Sequence, residues 1–279
     1  MAMTPLDAAH AAMTGAPGDD SARLRFYRRL ADTTLFLLLT REPETDGAPL
    51  DPEILETAGD DPARPDRYAL VFDTEERLAG FAAYRNDALP YAALPGRVIA
   101  RALAGQGVGL AVNLDSAPSS VLLPAEALDW LSDTLAAEPE PGEGRLTGIA
   151  PPTGLPDGLI EGLEEKLLGA AGLASHAVFV KGRYEGGHEG WLLAFIDARP
   201  GAEPALARAT QEALVFSGMD RASVDVAFFA SSEAICDHLD RMGLRFAFPD
   251  PDAEGTDGEE AAARPKGPGM DPDKPPYLK

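Results

Sequence analysis

The sequence predicts an α+β / α/β protein: two mixed α/β domains in tandem, each a small mixed sheet with packed helices, then a disordered acidic C-terminal tail. Three observations carry this. Helix-period and strand-length apolar patterns alternate along the chain, stop, and start again. Five prolines and four glycines crowd the break between residues 138 and 156, which is linker chemistry. From Pro249 onward aromatic residues nearly vanish while Asp, Glu, Pro and Gly dominate, so too little apolar surface remains to offset the entropy of ordering. The boundaries that follow are 1–137, a linker 138–156, 157–249 and a tail 250–279.

In chain order, Pro5 to about Ala31 reads as helical, with Leu24, Tyr27, Leu30 and Ala31 forming a core-facing stripe. Thr33–Thr40 reads as a buried strand, and residues 41–66, rich in Pro, Gly and acid, as a long loop. Tyr68–Phe72 is the next strand. Asp73 is placed to cap the helix after it, with Glu76 completing a capping box. Then come a strand at Tyr91–Leu94, a helix at Gly96–Ala104, strands at Val108–Asn113 and Val121–Leu123, and a helix from Pro124 to Ala137, where proline suits the first turn. Beyond the linker the pattern is helix 157–171, strands 176–181 and 191–197, helix 203–217, strand 223–229, helix 231–242 and strand 244–248. Gly182 to Gly190 supply the turn of an antiparallel hairpin.

The charge balance narrows function. Of 279 residues, 24 are Lys or Arg and 46 are Asp or Glu, a formal charge of −22. Such a body repels phosphate backbones and anionic lipid, so neither nucleic acid nor membrane is expected as a partner. The longest apolar runs, Leu35–Leu39 and Trp191–Ile196, are far short of the roughly twenty residues that span a bilayer. The opening Met1-Ala2-Met3-Thr4-Pro5-Leu6-Asp7 has no secretory pattern, so a cytoplasmic location is expected. One cysteine precludes an intrachain disulfide framework.

No local motif offers catalysis, a cofactor or a metal. Gly105, Gly107 and Gly109 follow a helix and enter a strand, the reverse of a dinucleotide fingerprint, and suit a helix C-cap and tight turn. Cys236 and His238, two apart on a helix, point to different faces. His188 stands in a hairpin turn with no second histidine at metal spacing. The informative surface feature is basic: Arg25, Arg28 and Arg29 stand at i, i+3 and i+4, so one helix face carries all three. In so acidic a chain they are the candidate contact for an acidic ligand or partner, against the plainer reading that they pair with the protein's own carboxylates.

Several stretches resemble a known family. Arg25-Phe26-Tyr27-Arg28-Arg29-Leu30 leading into Leu35-Phe36-Leu37-Leu38, Val71-Phe72-Asp73-Thr74-Glu75-Glu76-Arg77-Leu78, and Gly107-Val108-Gly109-Leu110-Ala111-Val112-Asn113 resemble the opening helix and strand, the strand-to-helix signature and the glycine-led strand of the bacterial SseB family, named for enhanced serine sensitivity. Where that family often has Asn-Pro-Gly, this chain has Asn113-Leu114-Asp115. Residues 157 to 248 are similar in layout to the family's C-terminal domain. The resemblance carries no established catalytic residues and implies a link to amino-acid (serine) sensitivity. With the missing catalytic constellation and the one basic face on an acidic body, the expectation is a non-catalytic cytosolic protein that binds another protein or a small acidic ligand. An enzyme whose carboxylate/arginine site is assembled between the domains is the alternative.

Overall fold

Ala16-Pro17-Gly18 divides the N-terminal helical region, because proline cannot donate to the preceding turn and glycine favours chain reversal. In the computed structural model the region is two helices, α1 (Pro5–Gly15) and α2 (Asp20–Asp32). Thr4 caps α1 in a reciprocal capping box with Asp7, and the Asp19 carboxylate caps α2 by accepting from the Ser21 amide at 2.9 Å. The structure describes residues 3–42, 50–61, 64–83, 89–137, 144–155, 158–219 and 224–248. The tail expected at 250–279 lies outside them.

The first sheet has six strands: β1 (Thr34–Leu38), β2 (Ile54–Asp61), β3 (Arg64–Phe72), β4 (Tyr91–Pro95), β5 (Gly109–Val112) and β6 (Val121–Leu123). Their order is β4-β1-β3-β5-β6, with β2 beside the other half of β3's edge. All pairs are antiparallel except β3 with β5. Helices α4 (Gly96–Leu103) and α5 (Ala125–Ala136) join α1 and α2 on one face, over Leu35, Leu37, Ala69, Val71, Leu110 and Val112. α3 (Glu75–Ala83) packs on the other face through Leu78 and Phe81. This alternation of faces is the period of two that the apolar runs required.

The second sheet comprises β7 (Leu146–Ala150), β8 (His176–Tyr184), β9 (Glu189–Ile196), β10 (Val224–Phe229) and β11 (Leu244–Ala247). The order is β10-β9-β8-β11, with β7 on the other half of β8's edge. α6 (Leu159–Leu168) and α7 (Glu203–Phe216) cover one face, and α8 (Cys236–Met242) lies on the other through Cys236 and Leu239. Both halves contain the same four-strand pattern. β4-β1-β3-β5 and β11-β8-β9-β10 each pair antiparallel, antiparallel, then parallel.

Two segments differ from the sequence reading. The loop expected over 41–66 contains β2 and the start of β3, paired as Ile54↔Ala69 through Thr57↔Asp66. The linker contains β7, which pairs with Lys181–Tyr184 and so belongs to the second sheet. Both strands lie at a partner's edge and carry few large apolar side chains, so neither leaves an alternation for sequence to reveal. The helix expected from 231 begins only at Cys236, after a run of turns. Asp73 does not cap α3; Thr74 Oγ1 accepts the Arg77 amide at 3.3 Å instead.

Gly96 starts α4 where it crosses the end of α2. A Cβ there would sit 2.0 Å from the Leu30 carbonyl oxygen, whereas one at Gly80 in α3 would meet nothing within 4 Å. Gly96→Ala is therefore expected to destabilise by about 1–3 kcal/mol or more, through overpacking against backbone. Gly80→Ala should stabilise by about 0.5–1 kcal/mol, by helix propensity. Urea denaturation of the two variants checks the contrast.

Candidate functional site

α2 carries two faces with different tasks. Ala22, Phe26, Leu30 and Ala31 are buried in the first core. Ser21, Leu24, Arg25, Arg28 and Asp32 form the other stripe and meet the second half. Leu24 and Ser21 approach Gly218, and Arg25 approaches Gly158. Arg28, with 8% of its side chain exposed, pairs with Glu165 on α6, and Arg29 reaches the other oxygen of the same carboxylate. Gly162 permits this approach, since a Cβ there would lie 2.6 Å from Ser217 Oγ and 3.1 Å from the Arg28 guanidinium.

A second charged group continues the seam. Lys166 donates to Asp32 at 2.9 Å and lies 2.9 Å from Glu212 on α7. Arg97 on α4 pairs with Asp32 and reaches Glu212 at 3.2 Å. Burial pushes the Asp32 carboxyl up, but Lys166 and Arg97 outweigh it and hold the group below its ordinary range. Apolar contact accompanies the charges. Phe216 of α7 is buried in the first core, and Trp130 on α5 stands edge-on to it at 6.3 Å and to Tyr27 at 5.3 Å.

The three arginines of the sequence stripe are thus divided. Arg28 and Arg29 tie the halves together through Glu165, while Arg25 pairs with Asp19 at 3.6 Å near the surface. Arg25 and Arg28 line a shallow cleft with Gly158, Glu161, Gly162, Phe216 and Ser217. Spacing along α2 identified the shared face; its partners, more than 130 residues away, left no local signal.

A second cluster went unread in the sequence. Arg77, 2% exposed, donates to both oxygens of Asp7, at 3.1 and 2.5 Å, and to Asp73 at 2.7 Å. Ser119 donates to Asp7 at 2.5 Å and accepts from Asn113 Nδ2 at 2.8 Å. Asn113 Oδ1 takes the Asp73 amide at 3.0 Å, and Thr4 Oγ1 donates to Asp73 at 2.6 Å. Asn113 holds a left-handed φ of 49°, a conformation asparagine tolerates better than most residues. Burial raises the Asp7 carboxyl, but hydrogen bonds from Arg77, Ser119 and the Thr4 amide together leave it well below the usual carboxylate range. Burial likewise lowers Arg77, and its two aspartates outweigh that and raise it.

The histidines and the cysteine are dispersed. Cys236 is buried, and His188 stacks on Tyr184 with ring centres 4.7 Å apart. His238 is exposed. His176, without an evident partner in the sequence, bridges Ser175 Oγ at 3.1 Å and Asp240 Oδ1 at 2.9 Å. Among the described residues no group of three or more His, Cys, Asp or Glu is placed to hold a metal ion. No described helix is long and apolar enough to cross a membrane.

Among the described residues, one face of the first sheet ends uncovered. α3 lies over Leu70, Phe72 and their neighbours, and beyond it Phe36, Tyr91, Ala93 and Pro95 share that face at the β1–β4 corner. Tyr91 is 40% exposed, and Ala93 and Pro95 are exposed. Leu39 donates to Pro90, and Gly96 to Thr33. By antiparallel alternation, the backbone groups of Tyr91 and Ala93 point away from β1. Tyr91 also donates its hydroxyl to Glu75 at 2.5 Å.

Residues 6–130 match the family described as SseB protein N-terminal domain. Over that stretch the chain is similar to an SseB N-terminal domain. The match runs from α1 to Trp130 on α5 and takes in every residue of the Asp7–Arg77 cluster except Thr4, together with the three arginines of α2. Glu165, Lys166 and Glu212 lie beyond it. No curated protein and no solved structure matches the chain.

Two outcomes follow from these ion pairs. Arg28→Ala leaves Glu165 with one guanidinium and should cost about 2–3 kcal/mol in chemical denaturation, less than the ~3–5 of a fully enclosed pair because Glu165 remains partly hydrated. Arg25→Ala should stay within about 0.5 kcal/mol. For Asp7, a folded-state value below the unfolded one means that its stabilisation is complete above about pH 4 and is lost as pH falls from there. Asp7→Asn should accordingly lose stability less steeply than wild type between about pH 4 and pH 2.

Proposed function

We propose that this protein acts in the cytoplasm by non-covalent association with a protein partner, without catalysing a reaction of its own, and that the association bears on amino-acid sensitivity, as the family name suggests. On this reading the second half is an SseB-type C-terminal domain. The observation that carries the proposal is the β1–β4 corner. An apolar shelf of Phe36, Tyr91, Ala93 and Pro95 adjoins a strand whose Tyr91 and Ala93 backbone groups point away from β1, its neighbour among the described residues. Exposed apolar surface beside an open strand edge is what β-strand addition uses.

Charge favours a basic partner. The chain carries a formal −22, and many of its cations, Arg28, Arg29, Arg77, Arg97 and Lys166 among them, are engaged by its own carboxylates. Glu75 and Glu76 open α3 close to the shelf. A partner with Lys or Arg flanking an apolar strand would be steered to this side. The small acidic ligand expected at Arg25, Arg28 and Arg29 has less support, since two of the three guanidiniums share Glu165.

The alternative, an enzyme with a carboxylate/arginine site between the halves, draws on the seam of Asp32, Arg97, Glu165, Lys166 and Glu212. Those carboxylates are matched to cations, and Asp32 is held ionised. General acid–base work needs a group titrating near the working pH.

Tagged full-length protein, captured from its own cell at low and at high salt, tests the proposal against a Tyr91→Glu/Ala93→Glu double variant. A basic protein should be recovered with wild type at low salt. Its recovery should fall by about tenfold or more in the variant, as for loss of an interface anchor worth ~2 kcal/mol. Equal recovery by the two proteins, with the variant folded, would contradict it.

A further inference from the structure

Asp7 is the only member of the buried cluster besides Thr4 that does not come from the strand ends. Asp73 and Arg77 follow β3, and Asn113 and Ser119 follow β5. β3 and β5 are the parallel pair of the first sheet, and the crevice beyond the carboxyl ends of parallel strands is where open α/β sheets receive ligands. Here the chain's own N-terminal segment fills that crevice. It presents a carboxylate, Asp7, to the Arg77 fork and the Ser119 hydroxyl, and a donor, the Thr4 hydroxyl, to Asp73.

That set of groups has complements that a small ligand could also supply. A guanidinium fork matches a carboxylate in two parallel hydrogen bonds. A neighbouring buried aspartate matches a cationic donor. An α-amino acid carries both complements on one small molecule, a carboxylate and an ammonium. One further feature sets the site apart from an ordinary structural ion pair. Ser116 Oγ, in the same β5–β6 turn as Ser119, is buried without a hydrogen bond, a cost that a bound polar group would relieve.

The geometry points to a binding site for a free α-amino acid at Arg77, Asp73 and Ser119, occupied in this structure by Thr4 and Asp7 of α1, which acts as a displaceable internal occupant. The ligand carboxylate takes the place of Asp7 on Arg77 and Ser119, and its ammonium takes the place of the Thr4 hydroxyl on Asp73. Binding therefore releases α1. Because the open form must first be populated, the apparent affinity of the full chain is reduced by the fraction of time α1 is undocked. The site stands apart from the β1–β4 corner, and neither depends on the other.

The test uses the full chain as wild type and as Asp7→Ala, with three probes at matched ionic strength: glycine, acetate and methylammonium. In Asp7→Ala the carboxylate position is vacated, and the melting temperature should rise saturably with glycine and with acetate but not with methylammonium. Glycine should bind about tenfold more tightly than acetate, since its ammonium exchanges the neutral Thr4 hydrogen bond on Asp73 for a charge-assisted one. In wild type, saturating glycine should speed amide hydrogen exchange across α1 while β3 and β5 keep their protection. Equal binding of glycine and acetate would overturn the assignment to amino acids. Absence of saturable binding by a folded Asp7→Ala chain, or unchanged exchange of α1 in wild type, would overturn the site. Should Asp7→Ala fail to fold, the wild-type exchange measurement decides alone.

Discussion

The pairing of Arg28 with Glu165 is the contact on which the arrangement of the two halves depends. α2 is a short helix asked to do two things. One stripe of it closes the first core, and the opposite stripe forms the boundary with the second half. A buried guanidinium on that boundary is tolerable only if a carboxylate meets it, and the carboxylate available is on α6. Bringing α6 so close requires glycine at 162, and once α6 is placed, Lys166 falls between Asp32 and Glu212. Phe216 then fills the first core from a helix of the second half. The seam is a consequence of one helix being packed on two stripes at once, with Asp20 and Arg23 left to the solvent.

The second polar cluster, around Asp7 and Arg77, obeys the same rule with a different result. Its charges are taken almost wholly out of water, and every partner needed to compensate them is supplied. Such an arrangement adds little net stability over an apolar filling of equal shape. What it adds is direction: α1 can dock in one orientation only, because any other leaves Arg77 with unpaired donors. The apolar residues of α1, Leu6 foremost, set its affinity for the sheet, and the polar ones set its register. A contact whose worth lies mainly in specificity is also one that a competing ligand of like chemistry can replace.

Much of this was legible in the sequence, and the illegible parts share a cause. Periodicity marked the central strands and the helices that cover them, because each buries one defined face. The edge strands β2 and β7 were missed since Pro, Gly and acid surround them and little of either is core. The arginine face of α2 was legible from spacing, yet its purpose was not, for Glu165 is 136 residues from Arg29 and 137 from Arg28. Asp7 and Arg77 lie 70 apart, and His176 and Asp240 lie 64 apart. Ordinary acids and arginines at such separations carry no motif. The capping box expected at α3 is found at α1 instead: Thr4 and Asp7 form it there, while Asp73 holds Arg77. The SseB match at 6–130 agrees with the stretches that suggested the family.

The central claim is that the seam makes the two halves one cooperative body. The chain has two tryptophans, one on each side: Trp130 on α5 against Phe216, and Trp191 on β9 stacked on Phe179. Urea unfolding followed by fluorescence in Trp191→Phe, which reports Trp130, and in Trp130→Phe, which reports Trp191, reads each half separately. When Arg28→Ala is added to both, the account predicts that the two midpoints fall together, because loss of a boundary contact weakens both halves as one. A fall in the Trp130 midpoint with the Trp191 midpoint unmoved would contradict it.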